Sequence, residues 1–143
     1  MRVECFLDTN IFIYLFDNTD ARKRGVAEQL VQDRLRRNNA CISHQVVQET
    51  LNVLVGKLHA TQEQAAALLD HVLGPLWQVH PSQTLYRDAL ALKARYGYGF
   101  YDSLILAAAL DAGCKVLYSE DLQHGQRIRD LRIENPFLDP KAL

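Results

Sequence analysis

Residues 3–16 read VECFLDTNIFIYLF, and this stretch decides the predicted fold class. The run from Val3 to Leu7 is apolar apart from Glu4 and rich in strand-forming residues, so it predicts a short buried strand. A polar turn at residues 8–10 separates it from a second apolar run beginning at Ile11, which predicts a short helix. The stretch therefore predicts a buried strand, an acidic turn and a short helix, in that order.

Strands and helices alternate along the remaining sequence. Further strands are predicted at residues 40–43, 76–79 and 115–118, with a weak fifth at 132–134. Helices are predicted at residues 20–37, 43–58, 61–73, 85–96 and 102–112, where Ser43 and Thr61 are candidate N-caps and Gly74-Pro75 is a helix stop. No hairpin signal is present, and residues from Asn135 onward are interpreted as a tail. This order predicts an α/β fold with a parallel sheet of four to five strands and helices on both faces.

Length and composition favour one compact domain over residues 1–143. The chain is 48% hydrophobic and 23% charged, which excludes the class of disordered proteins. Its longest apolar run, Leu104–Leu110, is far shorter than the ~20 residues of a membrane span, and the N-terminus lacks a signal-peptide layout. The three cysteines have no metal-binding or disulfide spacing and are predicted to be buried thiols. A cytoplasmic protein without a membrane partner is expected.

Polar residues at the ends of the predicted strands suggest where chemistry takes place. In an open parallel sheet, ligands bind beyond the carboxyl ends of the strands. Asp8 follows the first strand, Asp121 follows the fourth, and Glu49 lies two turns into the helix after the second. Asp102 opens the helix that leads into the fourth strand. Each acid has an ordinary structural explanation as a helix cap, a turn residue or a solvated side chain, but together they predict one acidic cluster.

Such a cluster requires a cation. Two carboxylates about 5 Å apart repel each other by roughly 3 kcal/mol at an effective dielectric of about 20. Oxygen-only ligands favour Mg²⁺ or Mn²⁺ over Zn²⁺. The five histidines form no HExxH or HxH pair, and no Gly-x-Ser-x-Gly motif is present, so a zinc hydrolase and a serine hydrolase are both disfavoured.

Four segments together carry a resemblance to a known family. They are residues 6–14, the pair Ser43 and Glu49, residues 101–109 and residues 119–125. In order and spacing they resemble the PIN domain, and within it the VapC-type toxins of bacterial toxin–antitoxin pairs. The resemblance implies a PIN-like three-layer α/β/α sandwich and a metal-dependent endoribonuclease. It assigns catalysis and metal binding to Asp8, Glu49, Asp102 and Asp121, with Asn10, Ser119 and Glu120 as polar auxiliaries.

The resemblance also implies partners and a reaction. One or two Mg²⁺ or Mn²⁺ ions would activate water for hydrolysis of an RNA phosphodiester bond. The expected partners are RNA, a cognate antitoxin protein and a second copy of the chain in a homodimer. Because the net charge is only −1, local basic groups would have to hold the RNA phosphates. Candidates are Arg95 and the basic helix at residues 22–37, with Tyr96, Tyr98 or Tyr101 stacking on an unpaired base.

Two other functional classes remain open at this stage. An aspartate-nucleophile phosphatase also places an Asp after the first strand, but the haloacid-dehalogenase-like pattern needs a second Asp where Asn10 stands. A degenerate, non-catalytic PIN module would tolerate the loss of acids, yet all four are present. Metal-dependent cleavage of single-stranded RNA by the purified protein separates an enzyme from such a module.

Overall fold

A computed structural model describes residues 3–139 and shows a six-stranded sheet in the order β3-β2-β1-β4-β6-β5. The strands are β1 (Cys5–Leu7), β2 (Ala40–Ser43), β3 (Trp77–Val79), β4 (Val116–Tyr118), β5 (Arg127–Ile128) and β6 (Leu131–Glu134). The first four and β6 run parallel, while β5 pairs antiparallel with β6. The predicted α/β class, the mainly parallel sheet and the three-layer α/β/α arrangement are confirmed.

The helices follow the predicted order. They are α1 (Thr9–Ile13), α2 (Ala21–Arg37), α3 (His44–Val55), α4 (Gln62–Leu68), α5 (Gly74–Leu76), α6 (Gln83–Tyr96) and α7 (Phe100–Asp111), with a π-helical turn over Leu69–Leu73. The predicted capping box at Thr61 and Gln64 is confirmed, because each side chain bonds the backbone N–H of the other residue. Asn38 ends α2 in the left-handed conformation that asparagine adopts readily.

The hydrophobic core lies between the central strands and the helices that cover them. All three residues of β1 are buried, and α7 is buried along the whole stretch 103–109. This burial explains why the sequence of α7 is apolar nearly all round rather than on one stripe. Cys5, Cys41 and Cys114 are buried free thiols, as predicted. In the described part of the chain, no helix combines the length and apolar character needed to cross a membrane.

Three predictions about local structure are wrong. The Gly74-Pro75 pair does not end a helix: the chain continues through the π turn into α5, where Pro75 occupies a first-turn position that needs no N–H donor. A short hairpin, for which the sequence carries no signal, joins β5 to β6 and adds one antiparallel strand to the five parallel strands. The segment after Asn135 is not a simple tail within the described residues, because Phe137 is buried in the core and its carbonyl accepts a hydrogen bond from Arg22. Residues 140–143 of that predicted tail lie outside the described residues.

Candidate active site

The parallel strands β1, β2 and β4 end at one edge of the sheet, and a cavity of about 350 Å³ opens there. Its lining contains all four predicted acids. The lining residues are Asp8, Thr9, Asn10, Ile13, Gln45, Glu49, Asn52, Val53, Lys57, Asp102, Ile105 and Asp121. We call this space the acidic cavity. The structure therefore brings together carboxylates that lie up to 113 positions apart in the sequence.

Asp8 is the most buried acid of the cavity, with 5% of its surface exposed. It caps α1: one carboxylate oxygen accepts from the Thr9 backbone N–H at 2.7 Å, and the other accepts from the Ser119 hydroxyl at 2.7 Å. Burial raises the pKa of Asp8 to about 7, and these two hydrogen bonds only partly offset it. The charges of Asp121 and Glu49 add to the rise in pKa. The two hydrogen bonds therefore fix the Asp8 carboxyl group at a position where burial disfavours its ionised form.

Glu49 projects from α3 and is fixed by two neighbours that the sequence analysis did not single out. One carboxylate oxygen accepts from the Thr9 hydroxyl at 2.7 Å, and the other accepts from the Gln45 amide at 2.8 Å. The same amide nitrogen donates to the Tyr101 carbonyl at 3.1 Å. The spacing of four residues between Gln45 and Glu49 places both on one helix face, which is the signal that could have found Gln45.

Asp102 and Asp121 complete the acidic cavity. Asp102 lies in the first turn of α7 and Gly99 occupies the N-cap, so the ordinary explanation of Asp102 as a helix cap does not apply. Burial, together with the charges of Asp121 and Glu49, raises the pKa of Asp102. Burial and the neighbouring charge of Glu120 raise the pKa of Asp121, although Asn10 donates a hydrogen bond to it at 2.9 Å. Within residues 3–139, none of the four cavity acids forms an ion pair.

Ser119 and Glu120, the other two predicted auxiliaries, have different surroundings. Ser119 is fully buried, donates to Asp8 and accepts from the backbone N–H of Asp121 at 3.2 Å. Glu120 accepts from the Tyr14 hydroxyl and pairs with the Lys23 ammonium. Glu120 does not line the acidic cavity. We call Tyr14, Lys23 and Glu120 the Glu120 cluster.

The donors of the acidic cavity suit a hard cation. Four carboxylates and the Asn10 amide offer oxygen ligands, and no ion pair within residues 3–139 neutralises these carboxylates. Lys57 lines the cavity but pairs with none of these acids in the described structure. In residues 3–139, no group of three or more His, Cys, Asp or Glu side chains that could hold a metal ion is found. The fit to a divalent ion therefore rests on the oxygen chemistry of the donors alone.

Several residues proposed to bind RNA are engaged within the fold. The Tyr98 hydroxyl bonds Gln126 and accepts from the backbone of Gln123. Arg95 lies over the Tyr96 ring at 5.5 Å. Tyr101, in contrast, is 68% exposed beside the acidic cavity.

The cations of α2 are also largely engaged within the fold. Lys23 pairs with Glu120, Arg24 with Glu28, and Arg34 bonds the Tyr118 hydroxyl. Arg36 and Arg37 both pair with Asp33. Much of the positive charge predicted for RNA phosphates is therefore balanced by the protein.

A family model of the PIN domain matches residues 5–128, most of the chain. The chain belongs to the PIN domain family. The match includes every acid of the acidic cavity, and it removes the basis for the haloacid-dehalogenase-like alternative, which belongs to a different family. No curated protein matches this PIN domain significantly.

Solved structures share the PIN fold at low sequence identity. A toxin–antitoxin complex from Klebsiella pneumoniae is 23% identical, covers 93% of this chain and 98% of its own, and has a TM-score of 0.67. DNA-bound VapBC from Salmonella typhimurium is 24% identical over 94% of this chain and 98% of its own, with a TM-score of 0.64. The sarcin-ricin-loop-cleaving toxin VapC20 of Mycobacterium tuberculosis is 24% identical over 82% of this chain and 90% of its own, with a TM-score of 0.61.

Proposed function

We propose that this PIN domain protein is a divalent-metal-dependent endoribonuclease whose catalytic residues are Asp8, Glu49, Asp102 and Asp121. The observation that carries the proposal is the convergence of four acids from separate elements in one cavity, where no ion pair from residues 3–139 balances them. Carboxylates that raise one another's pKa cost folding free energy, and a bound cation recovers that cost. Family membership and the fold shared with a sarcin-ricin-loop-cleaving toxin support RNA as the substrate.

Each residue has a distinct task in this proposal. Bound Mg²⁺ or Mn²⁺ would supply an activated water and neutralise charge on the scissile phosphate. The Thr9 backbone and Ser119 hold both oxygens of Asp8, so that carboxylate is oriented before any ligand arrives. Thr9 and Gln45 orient Glu49 in the same way. The Asp102 carboxylate makes no hydrogen bond or ion pair within the described residues, which leaves both of its oxygens available for a cation or for water.

We extend the proposal to a toxin that is held inactive by an antitoxin and forms a homodimer. The support is the shared fold with solved toxin–antitoxin complexes and an apolar cavity of about 490 Å³ between α3 and α4. Val55, which lines this cavity, is 52% exposed. Light scattering at tens of micromolar protein should report a dimer, and a monomer would refute that part of the proposal.

Cleavage of single-stranded RNA by the purified protein tests the enzyme. We expect cleavage with Mn²⁺ or Mg²⁺, loss of cleavage in chelator, and recovery when Mn²⁺ is restored. Asp8→Asn and Asp102→Asn should abolish cleavage while circular dichroism reports an unchanged fold. RNA binding without cleavage would indicate a non-catalytic PIN module, and wild-type activity in both variants would refute the site assignment.

A further inference from the structure

Among the described residues that line the acidic cavity, Lys57 is the only cation. The same lining contains four acids, so the cavity as a whole repels an anionic substrate. A single divalent ion offsets two negative charges and leaves part of the acidic charge uncompensated. A phosphodiester that approaches the acids is therefore attracted by a positive group close by, and Lys57 is placed to supply one.

Lys57 lies on the same wall of the cavity as Glu49. The lining residues of this wall follow one another at intervals of four, namely Gln45, Glu49, Val53 and Lys57. Such spacing places residues on one face of a helix, and Lys57 continues that face just beyond Gly56, the C-cap of α3. Glu49 and Lys57 are two helical turns apart, or roughly 12 Å at about 1.5 Å per residue. The cation therefore lies farther along the wall than the acid and does not pair with it.

The backbone around Lys57 is held by hydrogen bonds to α3, although the side chain is exposed. The Gly56 N–H donates to the Asn52 carbonyl at 3.1 Å, and the Leu58 N–H donates to the Val53 carbonyl at 3.0 Å. The Lys57 ammonium group forms no hydrogen bond or ion pair with residues 3–139. The protein thus positions the residue and leaves its charged group available to a ligand.

Lys57 differs in this respect from the cations of α2, most of which are engaged within the fold. Its charge also acts on Asp17, outside the cavity, but hydrogen bonds from Thr19 lower the pKa of Asp17 most and Lys57 lowers it least. A lysine beyond the carboxyl end of a helix also interacts favourably with the helix dipole. The experiment below separates that structural role from a role in binding.

Asn52 adds a neutral donor to the same wall. Its side chain is exposed, lines the acidic cavity and forms no hydrogen bond within the described part of the chain. Lysine and asparagine side chains are both common partners of nucleic-acid phosphates, the first through its charge and the second through its amide N–H groups. The wall therefore offers a charge and a hydrogen-bond donor beside the four acids.

We propose that Lys57 and Asn52 form a phosphate subsite, which holds a phosphate of the RNA strand next to the scissile one. The Lys57 ammonium group supplies the charge, and the Asn52 amide supplies a hydrogen bond. A subsite of this kind positions the strand and does not select its bases. This inference rests on the proposed action on RNA, and it adds residues that hold the substrate.

The salt dependence of RNA binding tests the subsite. Fluorescence anisotropy of a short labelled oligouridine is measured on the Asp8→Asn protein in Mg²⁺, at about 50 to 200 mM KCl, with gels to confirm that the RNA stays intact. Lys57→Gln in this background should weaken binding about fivefold to tenfold at the lowest salt. It should also make the slope of log affinity against log salt concentration shallower by about 0.7, the value for one phosphate contact on a single strand.

The same substitution should have the opposite effect on the metal. Isothermal titration calorimetry of Mn²⁺ is carried out without RNA, on protein that keeps all four cavity acids. Lys57→Gln should bind Mn²⁺ at least as tightly as wild type does, because a positive charge has been removed from the cavity lining. A damaged cavity would instead weaken the binding of both ligands.

Three further variants assign the effect to the subsite. Lys57→Arg keeps the charge and should keep the salt slope. Asn52→Ala should weaken RNA binding less than Lys57→Gln does and leave the slope unchanged, because the amide is neutral. Lys115→Gln is the matched control: Lys115 is exposed and forms no ion pair with residues 3–139, but it precedes β4, at the sheet edge opposite the acidic cavity. It should bind RNA as the parent does.

An unchanged salt slope in Lys57→Gln, or an equal loss of affinity in Lys115→Gln, would overturn the subsite. Weaker Mn²⁺ binding by Lys57→Gln would also overturn it, because the lysine would then support the cavity itself. Wild-type cleavage whose KM is unchanged in Lys57→Gln would overturn the subsite and leave the ribonuclease proposal intact. A salt slope that depends on Lys57, without cleavage in Mn²⁺ by wild type, would support the subsite and refute the catalytic proposal.

Discussion

Asp121 and Glu120 are neighbours in the sequence but belong to two regions with opposite electrostatics. Glu120 turns to Lys23 and Tyr14, so the protein supplies the counter-charge in the Glu120 cluster. Asp121 lies in the acidic cavity with Asp8, Glu49 and Asp102, where no ion pair within the described part of the chain balances the charge. The difference teaches that an acidic residue is a stronger candidate for a functional role where the fold gives its carboxylate no cationic partner.

The largest expected effect is the difference in cleavage activity between an Asp121 variant and a Glu120 variant. Asp121→Asn should lower RNA cleavage by about 100-fold or more, as the loss of a group that stabilises transition-state charge does. Glu120→Gln should stay within about fivefold of wild type, because a partly exposed ion pair contributes at most about 1 kcal/mol. Initial rates on a fluorogenic single-stranded RNA check both values. Equal losses in the two variants would remove the functional distinction between the regions.

The stability of the metal-free protein should depend on pH through the acidic cavity. The pKa of Asp8 rises from 3.8 to about 7, so its contribution favours the folded state below about pH 4 and is lost as the pH rises through 7. In chelator the melting temperature should therefore fall from pH 4 to pH 8. Asp8→Asn should flatten this decline and melt about 5 °C above wild type at pH 8.

Asp102→Asn should also raise the melting temperature in chelator, but by less than Asp8→Asn does, because Asp102 is less buried than Asp8. The gain should shrink or reverse in millimolar Mg²⁺, where wild type gains more ligand stabilisation. Calorimetry in both buffers measures the difference. A variant that melts at or below wild type in chelator would mean that these carboxylates do not repel one another appreciably.

Removing a charge from the Glu120 cluster should lower the stability of the protein, whereas removing a cavity acid should raise it in chelator. Glu120→Gln or Lys23→Met should destabilise the protein by about 1 kcal/mol or less, since both side chains are about one quarter exposed and solvent screens their attraction. High salt should weaken wild type more than either variant. Urea unfolding at low and high salt provides the measurement, and a stabilised Glu120→Gln protein would contradict the assignment of Glu120 to an ion pair.

The smallest effect is expected at the boundary between the two regions. Asn10 donates to Asp121 and lowers the pKa of that carboxyl, which burial and Glu120 otherwise raise. Asn10→Ala should shift the acidic limb of the cleavage profile upward by about half a unit. The rate of cleavage measured between pH 5 and pH 9 tests this shift. An unchanged profile with wild-type rates would show that Asn10 does not influence Asp121.

Local patterns predicted most of the fold because they depend on short stretches of chain. The strand at residues 40–43, the helix at residues 20–37, the capping box at Thr61 and the end of α6 near residue 96 are all found where residue type and spacing indicated. The β5–β6 hairpin was missed because two-residue strands carry too little periodicity to recognise. Phe137 was missed because its burial depends on Tyr14 and Arg22, which are more than 100 positions away.

The sequence by itself determined that acids follow the strands of a parallel sheet, because strand direction alone places their carboxyl ends at one edge. Only the tertiary structure decided which acids share the cavity. Whether Glu120 or Asp121 faces Asp8 depends on Lys23, almost 100 positions earlier in the chain, reaching Glu120. The place of Gln45 is only partly local, because it bonds Glu49 within α3 but also bonds the Tyr101 carbonyl of α7. Which charges and hydrogen-bonding groups pair depends on the distances between them in the folded protein. Short stretches of sequence do not reveal those distances.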